Sequence, residues 1–177
     1  KGVNEMFEIS TQMIQGFSIL VALAAFGVAA WLYTWVKSQT SSNKRIAEIG
    51  QYIQEGANTF LKREYKLLAR FTVVVTLIIF VLLPHPIWTG NIADNIWMAI
   101  SYIFGTALSA LAGKIGMQVA TIANVKAAEA AQKGIKPSFM AGFRGGAVMG
   151  MAVVGSSLLG VTLLLMLTHD TTALLGF

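Results

Sequence analysis

The sequence predicts an all-α, polytopic transmembrane helix bundle: four membrane helices with long cytoplasmic helix extensions. Three observations carry that prediction. Of 177 residues, 55% are hydrophobic and 12% are charged, about half the charge of a typical soluble domain. Mean hydropathy is +0.66. The apolar residues fall in four blocks, each near the roughly 20 residues that cross a bilayer's hydrocarbon core.

The first block, Phe17–Val36, is uncharged. Trp31, Tyr33 and Trp35 crowd its end and Lys37 closes it, as aromatic residues gather at headgroup depth. Glu5 and Glu8 precede it, whereas a signal peptide carries positive charge there. The block therefore reads as a retained membrane helix. "SQTSSN", Ser38–Asn43, is a polar turn with several N-cap candidates.

From Lys44 to Arg70 the pattern is amphipathic, with Ile46, Ile49, Ile53, Gly56 and Phe60 at spacings of three and four on one helical face. This helix is expected to continue into the second span, about 67–83. Arg70 sits in the first turn of that span and can snorkel to the headgroups. "PHP", Pro84–Pro86, ends it, because proline cannot donate to the helix ladder. Asn91 to Asp94 reads as a cap plus an acidic first turn for the third span, about 92–112. That helix extends past the membrane through Ala131 until Gly134 and Pro137 break it. The fourth span covers about 145–168, with 37–66 and 113–144 as the cytoplasmic segments.

Twelve of the thirteen Lys and Arg residues lie in Lys37–Arg70 and Lys114–Arg144; Lys1 is the other. The loop around His85 and the stretch from Thr168 to Phe177 hold none. The positive-inside rule then puts both basic segments in the cytoplasm and the N-terminus outside. It also explains the net charge of +5 as topology, with no nucleic-acid partner. The chain begins at Lys1 and stops at "TTALLGF", which reads as a piece of something longer. There is no cysteine, hence no thiolate site.

Small residues recur every four positions: Gly105, Ser109 and Gly113; Ala112, Gly116 and Ala120; Ala152, Ser156 and Gly160. Such spacing lets membrane helices approach closely.

Reactive groups do not converge. Glu5, Glu8, Asp94 and Asp170 fall on the outer side, while Glu48, Glu55, Glu64 and Glu129 fall on the inner side. None sits at mid-membrane, and no two are spaced as a divalent-metal cage. Glu55 and Glu64 read as a solvated helix face, His85 and His169 as surface histidines. Arg144 with Gly145 and Gly146 offers an anion site through side chain and backbone N–H groups. The alternative makes Arg144 an anchor at the cytoplasmic boundary and the glycines a packing surface. On these grounds catalytic, metal and substrate-binding residues are all expected to be absent from the segment.

Two stretches, "AGKIGMQVATIANVKAAEAA" (Ala112–Ala131) and "FRGGAVMGMAVVGSSLLG" (Phe143–Gly160), closely resemble the membrane-integral pyrophosphatases. "YIQEGANTFLKREYK", Tyr52–Lys66, is similar to the same family's segment before its second helix. The likeness runs in order over about 46–165. It implies a homodimeric pump about four times longer, with sixteen membrane helices in two concentric rings, the first four in the outer ring. It also implies hydrolysis of magnesium pyrophosphate at the cytoplasmic face coupled to H⁺ or Na⁺ movement, with K⁺ needed by some members, and points to a bacterial inner membrane. The family's Arg–triple-glycine and aspartate-rich signatures would follow Phe177, so neither Mg²⁺ nor K⁺ is expected on this segment. What transfers is structural: Gly113, Gly116, Gly145, Gly146, Gly150, Lys114 and Arg144 match family positions. With Gly105, Ser109 and Gly160 the glycines form the expected helix-packing set; Arg70, Lys114 and Arg144 are the expected membrane-boundary charges. The lipid bilayer, the remaining pump helices and pyrophosphate are the partners implied. The rival reading is a non-enzymatic four-helix assembly subunit or channel component. A secondary transporter would show inverted repeats with broken helices, and neither is visible.

Overall fold

The computed structural model describes residues 2–39, 43–88, 92–168 and 171–177, with side chains from residue 11 onward. Four long helices account for almost all of it: α1 (Gly2–Ser38), α2 (Lys44–Leu82), α3 (Ile92–Ala131) and α4 (Ile135–Thr168), followed by a short 3-10 helix at Thr172–Gly176. At 1.5 Å per residue they are about 50–60 Å long, well beyond the roughly 30 Å hydrocarbon core. All four are long and apolar enough to cross a membrane. The expected cap Asn91, the polar residues His169 and Asp170, and the middle of the Ser38–Asn43 turn lie outside the described residues, as do the side chains of Glu5 and Glu8.

Each helix end has a local cause. Asn43 is the N-cap that opens α2, its Oδ1 accepting from the backbone N–H groups of Arg45 (3.0 Å) and Ile46 (3.4 Å). The chain leaves α2 one residue before Leu83 and enters the Pro84–Pro86 stretch. α3 stops at Ala131, and Gly134 takes φ +126, a left-handed conformation that side chains disfavour. α4 then starts at Ile135, ten residues before the apolar span expected from 145. Pro137 therefore does not lie outside a helix. It occupies the first turn of α4, where its missing N–H has no intrahelical acceptor to lose.

The chain divides into two compact units. The first comprises residues 1–24, 70–109 and 154–177. Its core is Ile79, Met98 and Ala99, flanked by Val75, Phe80 and Tyr102. Here the C-terminus of α2 is closed from outside: Asn95, 1% exposed, donates through Nδ2 to the carbonyls of Phe80 (2.9 Å) and His85 (2.7 Å). A helix leaves its last four carbonyls without partners, and apolar surroundings make each orphan expensive. Phe177 packs into the same unit, its ring tilted against Phe104 at 6.1 Å.

The second unit comprises residues 25–69 and 110–153. Ala29, Leu32, Val119 and Val148 form its core, with Tyr33, Ala147 and Met151 around them. Ala25, Ala29, Leu32 and Val36 are all buried, so the part of α1 in this unit presents a face of small and aliphatic side chains. On α2 most of the expected apolar face is turned outward: Ile49, Ile53 and Phe60 are exposed, as are Gly56 and Tyr52. Of that face only Ile46 is half-buried, and the inward side of α2 adds Gly50, Ala57, Leu61 and Tyr65 to it. Periodicity found a real stripe, but its width left the contacting edge open. Buried hydroxyls satisfy themselves locally, Ser101 on the Trp97 carbonyl and Thr162 on that of Leu158.

Replacing Asn95 with Leu in the intact protein should cost about 1–2 kcal/mol, in the upper range for hydrogen bonds between membrane helices. Asn95→Asp should cost more, because an acceptor would then face two carbonyls. Detergent-denaturation midpoints give both values; equal stability of Asp and Asn variants would remove the proposed donor role.

Candidate functional site

The densest set of charged and close-packed residues lies in the second unit. One turn of α3 supplies opposite charges to the two helix ends that flank the α1–α2 turn. Lys126 Nζ donates to the carbonyl of Gln39 at 2.5 Å, just past the C-terminus of α1. Glu129, 6% exposed, accepts through Oε1 from the backbone N–H of Asn43 at 3.2 Å, at the N-terminus of α2. A cation at a helix C-terminus and a carboxylate at an N-terminus each oppose the local helix dipole, an effect worth about 0.3–1 kcal/mol at exposed sites and up to about 2 kcal/mol when partly buried. Sequence reading put Glu129 on the cytoplasmic side but did not anticipate its burial. Lys126, three residues before it, was the available signal. Ser138 Oγ donates to the carbonyl of Ala127 at 3.0 Å, tying the start of α4 to the same stretch of α3.

Arg144 lies in the third turn of α4, not at its beginning. It is half-buried, with its guanidinium 3.8 Å from the centre of the Trp35 ring. That contact is worth about 0.5–2 kcal/mol, depending on desolvation. The backbone N–H groups of Gly145 and Gly146 lie inside α4 and are committed to its ladder, which removes the anion cradle considered from sequence. Arg70 and Lys114 are exposed.

The glycines separate into two groups. A Cβ at Gly145 would collide with the Cβ of Ala123, one at Gly50 with Val125, and one at Gly160 with Phe177 and with Leu108 at 2.9 Å. At Gly105 it would lie 2.6 Å from the Phe177 carbonyl oxygen, and at Gly116 2.6 Å from the Met149 sulfur. These five are closely approached. Gly113 is looser, 3.7 Å from the Tyr65 hydroxyl, which donates to the Ala110 carbonyl at 2.6 Å. Gly146 and Gly150 have nothing within 4 Å, and Ser109 and Ala120 are exposed. Gly50 escaped the sequence reading because its partner Val125 is distant in the chain and no small-residue repeat surrounds it.

Among the described residues no three His, Asp or Glu side chains gather. Mg²⁺ binds oxygen ligands, commonly one or two carboxylates together with substrate phosphates. The described side chains offer no cluster of three such groups to supplement substrate phosphates.

Gly145→Ala should destabilise by about 1–3 kcal/mol, as overpacking does, because the obstacle is a Cβ that cannot move. Gly116→Ala should cost less, since the Met149 side chain can swing aside. Gly146→Ala should be neutral or stabilising by up to about 1 kcal/mol through helix propensity. Denaturation midpoints of the three variants check the order; a Gly145→Ala variant as stable as Gly146→Ala would contradict the packing.

The family model described as inorganic H⁺ pyrophosphatase matches residues 23–176. A K⁺-insensitive pyrophosphate-energized proton pump of Methanosarcina mazei is 35% identical over 158 residues, which is 89% of this chain and 22% of the relative. A K⁺-stimulated pyrophosphate-energized sodium pump of Thermotoga maritima is 35% identical over 146 residues, 81% of this chain and 19% of that protein. A putative pump of the latter kind from Clostridium tetani is 39% identical over 136 residues, covering 76% and 18%. The chain thus spans about a fifth of the length of these relatives. Four apolar helices long enough to span a bilayer, close glycine contacts and a match over nearly the whole chain agree: the chain belongs to the inorganic H⁺ pyrophosphatase family.

Proposed function

We propose that this chain forms outer-ring membrane helices of a pump that hydrolyses magnesium pyrophosphate and drives H⁺ or Na⁺ across a bacterial inner membrane. Its role there is to support chemistry carried by residues outside this segment. The observation that carries this reading is the family match over residues 23–176 in a chain about a fifth as long as its relatives. Identity of 35% to both a proton pump and a sodium pump leaves the transported ion and any K⁺ requirement to other parts of the polypeptide.

The exposed surfaces support an assembled role. Tyr52, Phe60 and Leu67 are 63%, 56% and 67% exposed, and apolar surface of that kind in and beside the charged part of α2 calls for protein cover. On α4, Gly142, Gly146 and Gly150 stand open at intervals of four, a groove into which another helix can settle. Sorting of cationic residues supports the orientation, with Lys37–Arg70 and Lys114–Arg144 in the cytoplasm and the N-terminus outside. Arg70, Lys114 and Arg144 are then the boundary charges. A homodimer is the assembly the family resemblance implies.

The intact polypeptide, reconstituted in vesicles, should hydrolyse magnesium pyrophosphate and build an H⁺ or Na⁺ gradient, while residues 1–177 alone should do neither. Gly150→Leu should leave this segment inserted but reduce assembly or the coupling of hydrolysis to transport. Normal assembly and turnover in that variant would reject the packing role, and hydrolysis by the segment alone would reject the division of labour.

A further inference from the structure

Four cations crowd the nine residues of α2 that precede its uncharged run, Phe71–Leu82: Lys62, Arg63, Lys66 and Arg70. We propose that they form a binding face for the headgroups of anionic phospholipids where α2 enters the bilayer.

Helix geometry gathers the four. At 3.6 residues per turn they fall within an arc of about 100°, and all are exposed. The packed side of α2 lies elsewhere: Leu61, Tyr65 and Leu68 are half-buried, and the Tyr65 hydroxyl donates to the Ala110 carbonyl of α3. Glu64, also exposed, falls outside the arc. Among the described residues none of the four cations has an ion-pair or hydrogen-bond partner, so their charge is uncompensated. The apolar stripe of Ile53, Phe60 and Leu67 is centred roughly 100° further round the helix. A neighbour that covers the stripe leaves the cations open to lipid.

Depth matches the phosphates. With a span that begins at about residue 67, Lys66 and Lys62 stand about 2 and 8 Å outside the hydrocarbon. The headgroup layer there is about 5–8 Å deep. Arg70 starts about 5 Å inside, but helical side chains lean toward the N-terminus, here toward the headgroups, and its long stem carries the charge back to them. Val73 and Leu77, on the same side and further into the run, are 59% and 58% exposed. One face therefore presents cations at phosphate level and apolar side chains at acyl-chain level. Basic clusters beside a membrane helix draw anionic lipid in this way.

The test uses the intact protein carrying Val73→Trp, in vesicles containing brominated phosphatidylglycerol or brominated phosphatidylcholine. Quenching of the added indole, taken as the difference from the protein without it, reads which lipid lies on this face. Phosphatidylglycerol should be preferred by at least about fivefold, the factor for one cation beside an anionic surface. Replacing Lys62, Lys66 and Arg70 together with Gln should abolish the preference. Replacing Lys44, Lys133 and Lys136 with Gln removes the same charge elsewhere and should leave it unchanged. All six side chains are exposed and lack internal partners, so both triple variants keep the fold. Equal quenching by the two lipids, an undiminished preference in the first triple variant, or equal losses in both would overturn the site. Quenching by neither lipid would show that protein covers this face, and would overturn it as well.

Discussion

The constraint beneath this structure is that a backbone crossing hydrocarbon must satisfy its own hydrogen bonds. Helices meet it everywhere except at their ends, where four N–H and four C=O groups lack partners. Helix ends are accordingly where this chain spends its polar side chains. Asn95 holds the carbonyls of Phe80 and His85. Asn43 caps α2. Lys126 and Glu129 grip the two sides of the α1–α2 turn. Along the helix interiors the buried hydroxyls of Ser101, Thr121 and Thr162 turn back onto their own helices and contribute little to how neighbouring helices are arranged.

Arrangement comes instead from shape. Lipid tails are as apolar as leucine, so helix association draws on van der Waals contact and close approach. Close approaches between helices involve the smallest residues: Gly145 against Ala123, Gly50 against Val125, Gly116 against Met149 and Gly160 against Leu108. α1 follows the same rule with alanines, burying Ala22, Ala25 and Ala29 on one side. Each glycine that meets a neighbour offsets its poor helix propensity with contact area that a Cβ would forbid. Gly146 and Gly150 meet nothing within this chain, and their conformational cost has no return unless another helix lies there.

Legibility followed physical range. The helices and their approximate ends were visible because apolar runs, prolines and Gly134 act locally. The continuation of α2 and α3 beyond their apolar blocks was visible too, since the pattern stays helical there. The start of α4 was not: the apolar run from 145 marks the expected span alone, while Pro137 suits a first turn at Ile135 and Ser138 ties that turn to Ala127. Small-residue spacing marked Gly105, Gly116 and Gly160, which are closely approached, but equally marked Ser109 and Ala120, which are exposed. A repeat of four marks a face able to pack without naming what packs on it.

By itself, then, the sequence determined that this is a chain of four long apolar helices with its cations gathered in two segments, and which family its motifs resemble. Hydrophobic run length, charge sorting and backbone-breaking residues act within a few turns, so one strand of letters contains them. Only the tertiary structure decided that Glu129 is buried on Asn43, that Arg144 lies over Trp35, that Gly145 is closed and Gly146 open, and that most of the apolar stripe of α2, all but Ile46, is turned outward. Each of these depends on how one helix is rotated against another. That rotation is set by contacts between residues tens of positions apart, which no local pattern specifies.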